Sequence, residues 1–264
     1  MEKHFELTDE TIEVAGNTMH RIRCTRDCKW AKTGDLGGFI EKEDNLSGDA
    51  WVADNARVYG DAWVSDNAQV YGDAWVSDNA QVYGDAWVSD NARVYGDARV
   101  SGDAQVYDNA RVYGDAWVSD NAQVYGDAQV YGNARVSGDA QVYGNAQVSG
   151  NAQVYGNARM SGNAQVYGNA WVSGNARVSG NAGLAGKARV AGNDDHCGFD
   201  VFGSIGRHTH AYRTSDGGVE ITCGCFHGDI EAFEAKVRHT HGDSQYAREY
   251  LAIAHVIRVK FGLA

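Results

Sequence analysis

The chain has 264 residues, 33 glycines, no proline and a formal net charge of -12. Such a sequence gives up no backbone donor to proline, which suits strands hydrogen-bonded on both sides, and its acidity argues against a general nucleic-acid binder while favouring solubility or a basic partner. Five cysteines, a polar N-terminus without a signal-peptide core and the lack of any bilayer-length apolar run point to reduced thiols in a cytoplasm, with no membrane partner.

Residues 1–35 read as a small β-rich cap, because ELTDETIEVAGNTMHRIRC alternates as strands do and a stacked array needs its open end covered. His20, Cys24 and Cys28 recur at fours, a loose metal pattern that ordinary strand residues explain as well. KTGDLGGFIEKEDNLSGDAWV then leads into a repeat without a break.

Within residues 36–191, alanine recurs at every sixth position from Ala50 to Ala188, 24 times, and two places after each stands Val, replaced once by Met160 and once by Leu184. The unit [G/D]-[D/N]-A-[W/Q/R]-V-[S/Y] fills residues 48–191, and Ile40 and Leu46 keep its phase upstream. Alanine and valine share one strand face, the fourth and sixth positions the other. The first two positions are turn formers that tolerate positive φ. Each hexad is therefore a short strand and a corner, and like units must stack to bury their valines. The phrase GDAWVSDNAQVY also repeats at twelve, which raises a rival flat coil of two hexads; its slips at Tyr107/Tyr113 and Tyr125/Tyr131, and the thinness of such a core, favour three hexads.

These units, with an aliphatic residue and a small one four later, as at Val52 and Ala56 or Val64 and Ala68, resemble the hexapeptide-repeat left-handed β-helix proteins of phages and bacteria. The resemblance implies a mainly β fold: a β-solenoid, a left-handed parallel β-helix of three hexads per triangular coil and about eight coils. Glycine falls two places after the valine rather than one, a departure from the family's habit. Enzymes of that family carry a catalytic His on an extruded loop, or metal-binding His on the coils. Residues 36–191 contain no His, no Cys and no insertion, so the array looks like the acyltransferase-like or polymer-forming-like members without the catalytic His.

With Ala and Val inside, Trp and Tyr of the fourth and sixth positions are expected on the surface. A binding surface is placed on Trp51, Trp63, Trp75, Trp87, Tyr59, Tyr71, Tyr83 and Tyr95, where Trp is densest; shielding of the strand ladder is the plainer role for the same rings. The array is also acidic at one end. Residues 48–119 hold 12 Asp against 4 Arg, and residues 120–191 hold 3 Asp against 4 Arg and 1 Lys. An acidic ladder of that kind could imitate a nucleic-acid backbone, or could be drift between two good turn residues.

From Gly192 the composition changes, with seven of the nine histidines falling between there and the C-terminus. Strands are expected at GFDVFGSIG, HTHAYRT and GGVEITCGCF, followed by a helix capped by Asp229 with Ile230, Phe233 and Val237 inward. A second helix turns Tyr250, Leu251, Ala254 and Ile257 inward. This makes residues 192–264 an α+β (ββαα) module, and its GS-IG start, GCF-G turn and THGD resemble a phage-type tail module of unknown function. His208, His210, Cys223, Cys225 and His227 are candidate ligands, with zinc the metal such donors suit if they converge. Cys225 with His239 or His241 is a rarer candidate nucleophile pair. The function expected is that of a non-catalytic binder, a homo-oligomer that sequesters or scaffolds a protein or a small nucleotide-like ligand, such as a host defence protein or signal in a phage-infected cell. A metal-dependent enzyme seated in the C-terminal module and a self-assembling structural rod are the alternatives.

Overall fold

The computed structural model describes residues 3–263; residues 1 and 2 of the expected cap and residue 264 of the expected module lie outside them. Twenty-four two- to four-residue strands run from Trp51–Val52 to Arg189–Val190. Each pairs in parallel with the strand three hexads further along the chain, as Trp51 with Gln69 and Val52 with Val70. Three hexads therefore make one coil, and the flat coil of two hexads is excluded. The rod is a β-solenoid of about eight coils with three parallel faces. Its first face is an 11-stranded sheet that includes three cap strands, and its second and third faces have eight strands each, starting at Trp51 and at Trp63. At about 4.8 Å per coil the rod is roughly 38 Å long.

The unit explains the geometry position by position. Every alanine of the third place and every Val, Met or Leu of the fifth is buried, most of them completely. The first place has positive φ in all coils, from Gly48 (67°) to Gly186 (57°), and six of these residues are aspartates: Asp54, Asp66, Asp78, Asp90, Asp108 and Asp120. Aspartate tolerates the left-handed region better than most residues because its short side chain can bond locally. Here it bonds across coils instead: the Asp78 carboxylate accepts the Gly96 N–H at 3.0 Å, and Asp54, Asp66, Asp108 and Asp120 do the same to Gly72, Gly84, Gly126 and Gly138. Asparagines of the second place add amide ladders along the axis, for example Asn151 to Asn169 at 3.1 Å.

At the N-terminal end, Phe5–Val14, Asn17–Cys24 and Leu36–Ile40 extend the first face, Phe39 and Ile40 pairing with Arg57 and Val58. The intervening loop lies along the rod, with Trp30 Nε1 donating to Asn67 O at 2.9 Å and Lys29 paired to Asp85 at 2.7 Å.

The C-terminal module has four strands before its helices, one more than the three segments expected and two more than the ββαα outline: His196–Phe202, Arg207–Arg213, Val219–Cys223 and Phe226–Asp229, in one antiparallel sheet. The extra strand arises because Gly224, at φ +60°, starts a two-residue hairpin loop that turns GCF back on itself. Helices α1 (Ile230–His241) and α2 (Gln245–Phe261) pack on the outer side of this sheet, with Asp229 and Ser244 as N-caps. Leu251, expected inward with Tyr250, Ala254 and Ile257, is only partly buried at the edge of that core. The inner side closes the rod. Tyr212, fully buried, joins the valine core, and Thr222 Oγ1 donates to Gly183 O at 3.0 Å. Gly183 stands where other units carry Trp, Gln or Arg, which leaves room for this docking.

Candidate binding surfaces

Because the aromatic phrase covers two hexads and the coil three, each successive tryptophan moves to another face. Trp75, Tyr59 and Tyr95 lie on the first face, Trp51, Trp87 and Tyr71 on the second, Trp63 and Tyr83 on the third. The eight aromatic residues singled out from the sequence thus form no single surface. Trp51 is not displayed at all: it is 5% exposed, under the ring of His4, whose Nε2–H donates to Ala50 O at 3.0 Å. The cap covers it, a long-range contact that the hexad pattern does not carry.

The remaining tryptophans lean toward the sixth-position side chain of the preceding coil. Trp63 and Trp117 donate to the Oγ of Ser47 and Ser101 at 2.8 and 3.1 Å. Trp75, Trp87 and Trp171 sit edge-on to Tyr59, Tyr71 and Tyr155 at 6.4 to 6.5 Å between centroids. Where the fourth place holds Arg or Gln, the tyrosines stack with each other instead, as Tyr95, Tyr113 and Tyr131 do at 5.0 Å. Sixth-position serines, expected in solvent, are buried at Ser65, Ser77, Ser89 and Ser101; Ser77 lies in the ladder between Tyr59 and Tyr95, so taller neighbours cover it. Ladder shielding accounts for much of the aromatic content.

One strip on the first face is different. Arg57, Trp75, Arg93 and Arg111 stand side by side on consecutive coils, spanning about 15 Å. The guanidinium groups of Arg57 and Arg93 flank the Trp75 ring at 5.2 and 4.9 Å. Among the described residues none of these three arginines forms an ion pair, although the surrounding half of the rod is acidic. A groove of about 280 Å3 opens between Trp75, Arg93, Arg111, Tyr59 and Tyr95. Asp78 also lines it, but its carboxylate is engaged by Gly96 N–H. Reading one coil on at a time from Arg57 finds the strip in the sequence once the coil length is known.

The acidic ladder is mostly committed to the fold. Five of the twelve aspartates in residues 48–119 clip the next coil through a backbone N–H: Asp54, Asp66, Asp78, Asp90 and Asp108. Asp61, Asp85 and Asp97 are held by Lys42, Lys29 and Asn79.

In the C-terminal sheet the strand period separates the candidate ligands. His208, His210 and His227 lie on the side toward the rod. Cys223 lies on the side toward the helices, and accepts from Thr209 Oγ1 at 3.3 Å. Cys225 is exposed in the hairpin loop. His210 is buried, its Nδ1–H donating to Gly183 O at 3.0 Å, which makes its Nε2 the acceptor for His196 Nδ1–H at 2.9 Å. Burial drives the pKa of His210 down to about 3, holding the ring neutral, and lowers that of His196. His208 donates to Asp200 at 2.6 Å and His227 to Glu220 at 2.8 Å. His196, which the sequence reading did not single out, thus belongs to the histidine cluster, whereas both cysteines are outside it. Among the described residues no group of three His, Cys, Asp or Glu side chains is arranged to hold a metal ion.

Of the candidate nucleophile pair, Cys225 and His241 line one cavity, while His239 is exposed outside it. At the other end, His20 and Cys24 sit four places apart on one extended strand, about 13 Å. His20 donates to Thr8 O and the Cys24 thiol to Arg26 O.

A triangular solenoid of parallel hexads, closed at both ends, is the class these observations define. The YdcK beta solenoid repeat model matches seven stretches of the rod, residues 68–84, 92–104, 104–120, 128–144, 146–162, 152–168 and 164–180. No curated protein matches the chain. Among the described residues no helix is long and apolar enough to cross a membrane.

Proposed function

We propose that the chain is a non-catalytic binder that captures a small nucleotide-like anion on the first face of its rod. The observation that supports this reading is the strip Arg57–Trp75–Arg93–Arg111: three arginines without carboxylate partners, two of them flanking the Trp75 ring and the third one coil further on, beside a groove. Guanidinium groups suit phosphate oxygens, and the Tyr59 and Tyr95 rings that line the groove offer a base a stacking surface. Parallel coils hold these side chains in a fixed array, so little ordering is lost on binding. A phage-infected bacterial cytoplasm, where sequestration of a host signal would be useful, belongs to the same proposal.

Calorimetric titration of the full chain with ADP, adenosine and inorganic pyrophosphate tests it. ADP is expected to bind more tightly than either fragment, and R93Q to weaken ADP by about tenfold. Equal heats for wild type and R93Q would refute the strip as a nucleotide site. Retention of an acidic protein in place of ADP, lost with R93E, would instead make the rod a protein trap.

A further inference from the structure

A second cavity lies in the C-terminal module, between the sheet and α1, far in sequence from the arginine strip. It has a volume of about 210 Å3, with Ile205, Phe226, Phe233 and Tyr250 among its walls and Arg207 and Lys236 among its polar groups. It is a cleft that opens to solvent past exposed Ile205, and a concave, mostly apolar cleft with a few polar groups is a place where small molecules bind. Ile205, 67% exposed at the cavity, is an apolar side chain that an occupant would cover.

The charge of the site selects the occupant. In a chain of net charge -12, the cavity is lined by two cations and by no carboxylate. Among the described residues neither Arg207 nor Lys236 forms an ion pair; the acidic side chains of α1, Glu231 and Glu234, are engaged by Arg258 and Arg238. Glu249, the acid next to Tyr250, accepts Gly203 N–H at 2.8 Å. Gly224 is favoured where it stands by its φ of +60°, and the Arg207 guanidinium lies in the space a Cβ there would take. The hairpin thus seats that cation against the cavity. Tyr250 is fixed from two sides, by the His241 ring stacked on it at 5.6 Å and by its hydroxyl, which donates to Phe202 O at 3.4 Å. Burial raises its phenol pKa to about 12, so the hydroxyl stays neutral and adds no negative charge.

We infer that this cavity binds a small aryl-alkyl carboxylate, its ring among Phe226, Phe233 and Tyr250 and its carboxylate on Arg207 and Lys236. The apolar body supplies burial and the two cations supply the choice of charge. The inference is independent of the rod: no residue of the arginine strip takes part.

The test is a two-dimensional amide NMR titration of the full chain with 4-phenylbutyrate and, separately, with uncharged 4-phenylbutanamide. A ligand of that size is expected to saturate at about a few millimolar or below. Shifts should centre on residues 204–207, 223–226 and 233–241, with the carboxylate preferred over the amide by about tenfold. Lys236 is an exposed helix residue, so K236E should fold as wild type and abolish that preference, whereas W75A should leave it intact. Equal affinity for carboxylate and amide, shifts centred elsewhere, or no saturation by 4-phenylbutyrate would each overturn the assignment.

Discussion

Replacing Asp78 separates two roles that this corner residue combines. Its φ is +60° and its carboxylate accepts the Gly96 N–H of the next coil at 3.0 Å. D78G keeps the backbone conformation at no steric cost and removes only the clip. A charge-assisted hydrogen bond is worth about 1.5–3 kcal/mol, and exposure of this corner brings the expected loss nearer to about 1 kcal/mol. D78A loses the clip and also forces a Cβ into the left-handed region, a further ~1–2 kcal/mol. The ordering expected is therefore wild type, then D78G, then D78A, with D78A lower by about 2–3 kcal/mol in all. Because stacked repeats do not open as one unit, the measurement is amide hydrogen exchange resolved to Gly96 and its neighbours, with the distant Gln165 amide, bonded to Ala182 O, as internal control. Equal protection of Gly96 in wild type and D78G would refute the clip, and D78A matching D78G would refute the conformational argument.

The core, the aromatic strip and the histidine cluster give three further outcomes. V112A, at a fully buried rung, should cost about 2 kcal/mol through lost burial plus the cavity left behind, read as faster exchange in the coils on either side. W75A removes a ring flanked by two arginines, and should cost about 1–2 kcal/mol in the same experiment; no change would mean the guanidinium groups gain nothing from the ring. His210 has a folded pKa near 3, below its unfolded value of 6.5. Its contribution is therefore fully present above pH 6.5 and is lost as pH falls toward about 3, by on the order of 1 kcal/mol per pH unit. Limited proteolysis at the junction of rod and C-terminal module should accelerate as pH falls through that window, and H210N should flatten the dependence. An unchanged slope in H210N would assign the acid sensitivity to another group.

The three-sided rod was legible because one short unit meets one physical requirement per position: a positive-φ corner, a small inward residue, a branched inward residue. Misreadings arose where a side chain's environment is set a full coil away or farther. Ser77 looks exposed within its hexad, but Tyr59 and Tyr95 above and below it bury it. Trp51 looks displayed until His4 folds over it. The twelve-residue phrase suggested an aromatic surface, and the coil length distributes that phrase over three faces. In the C-terminal sheet, Cys223 and His227 are only four residues apart but fall on opposite sides, because the two-residue hairpin between them pairs Cys223 with Phe226 and Thr222 with His227. Arg207 and Lys236, from a strand and a helix, carry no pattern linking them before the chain is folded.

Each hexad also has an angular meaning. Adding one turns everything downstream by about a third of a revolution and advances it by about 1.6 Å along the axis. Duplication of the twelve-residue phrase therefore changes the length of the rod only slightly but re-aims the C-terminal module by two thirds of a revolution relative to the N-terminal cap. Gain or loss of a whole coil would preserve that aim. The array acts as a dial as much as a spacer, and recombination within its repetitive coding sequence could reset the bearing between its two ends without disturbing a single core contact type.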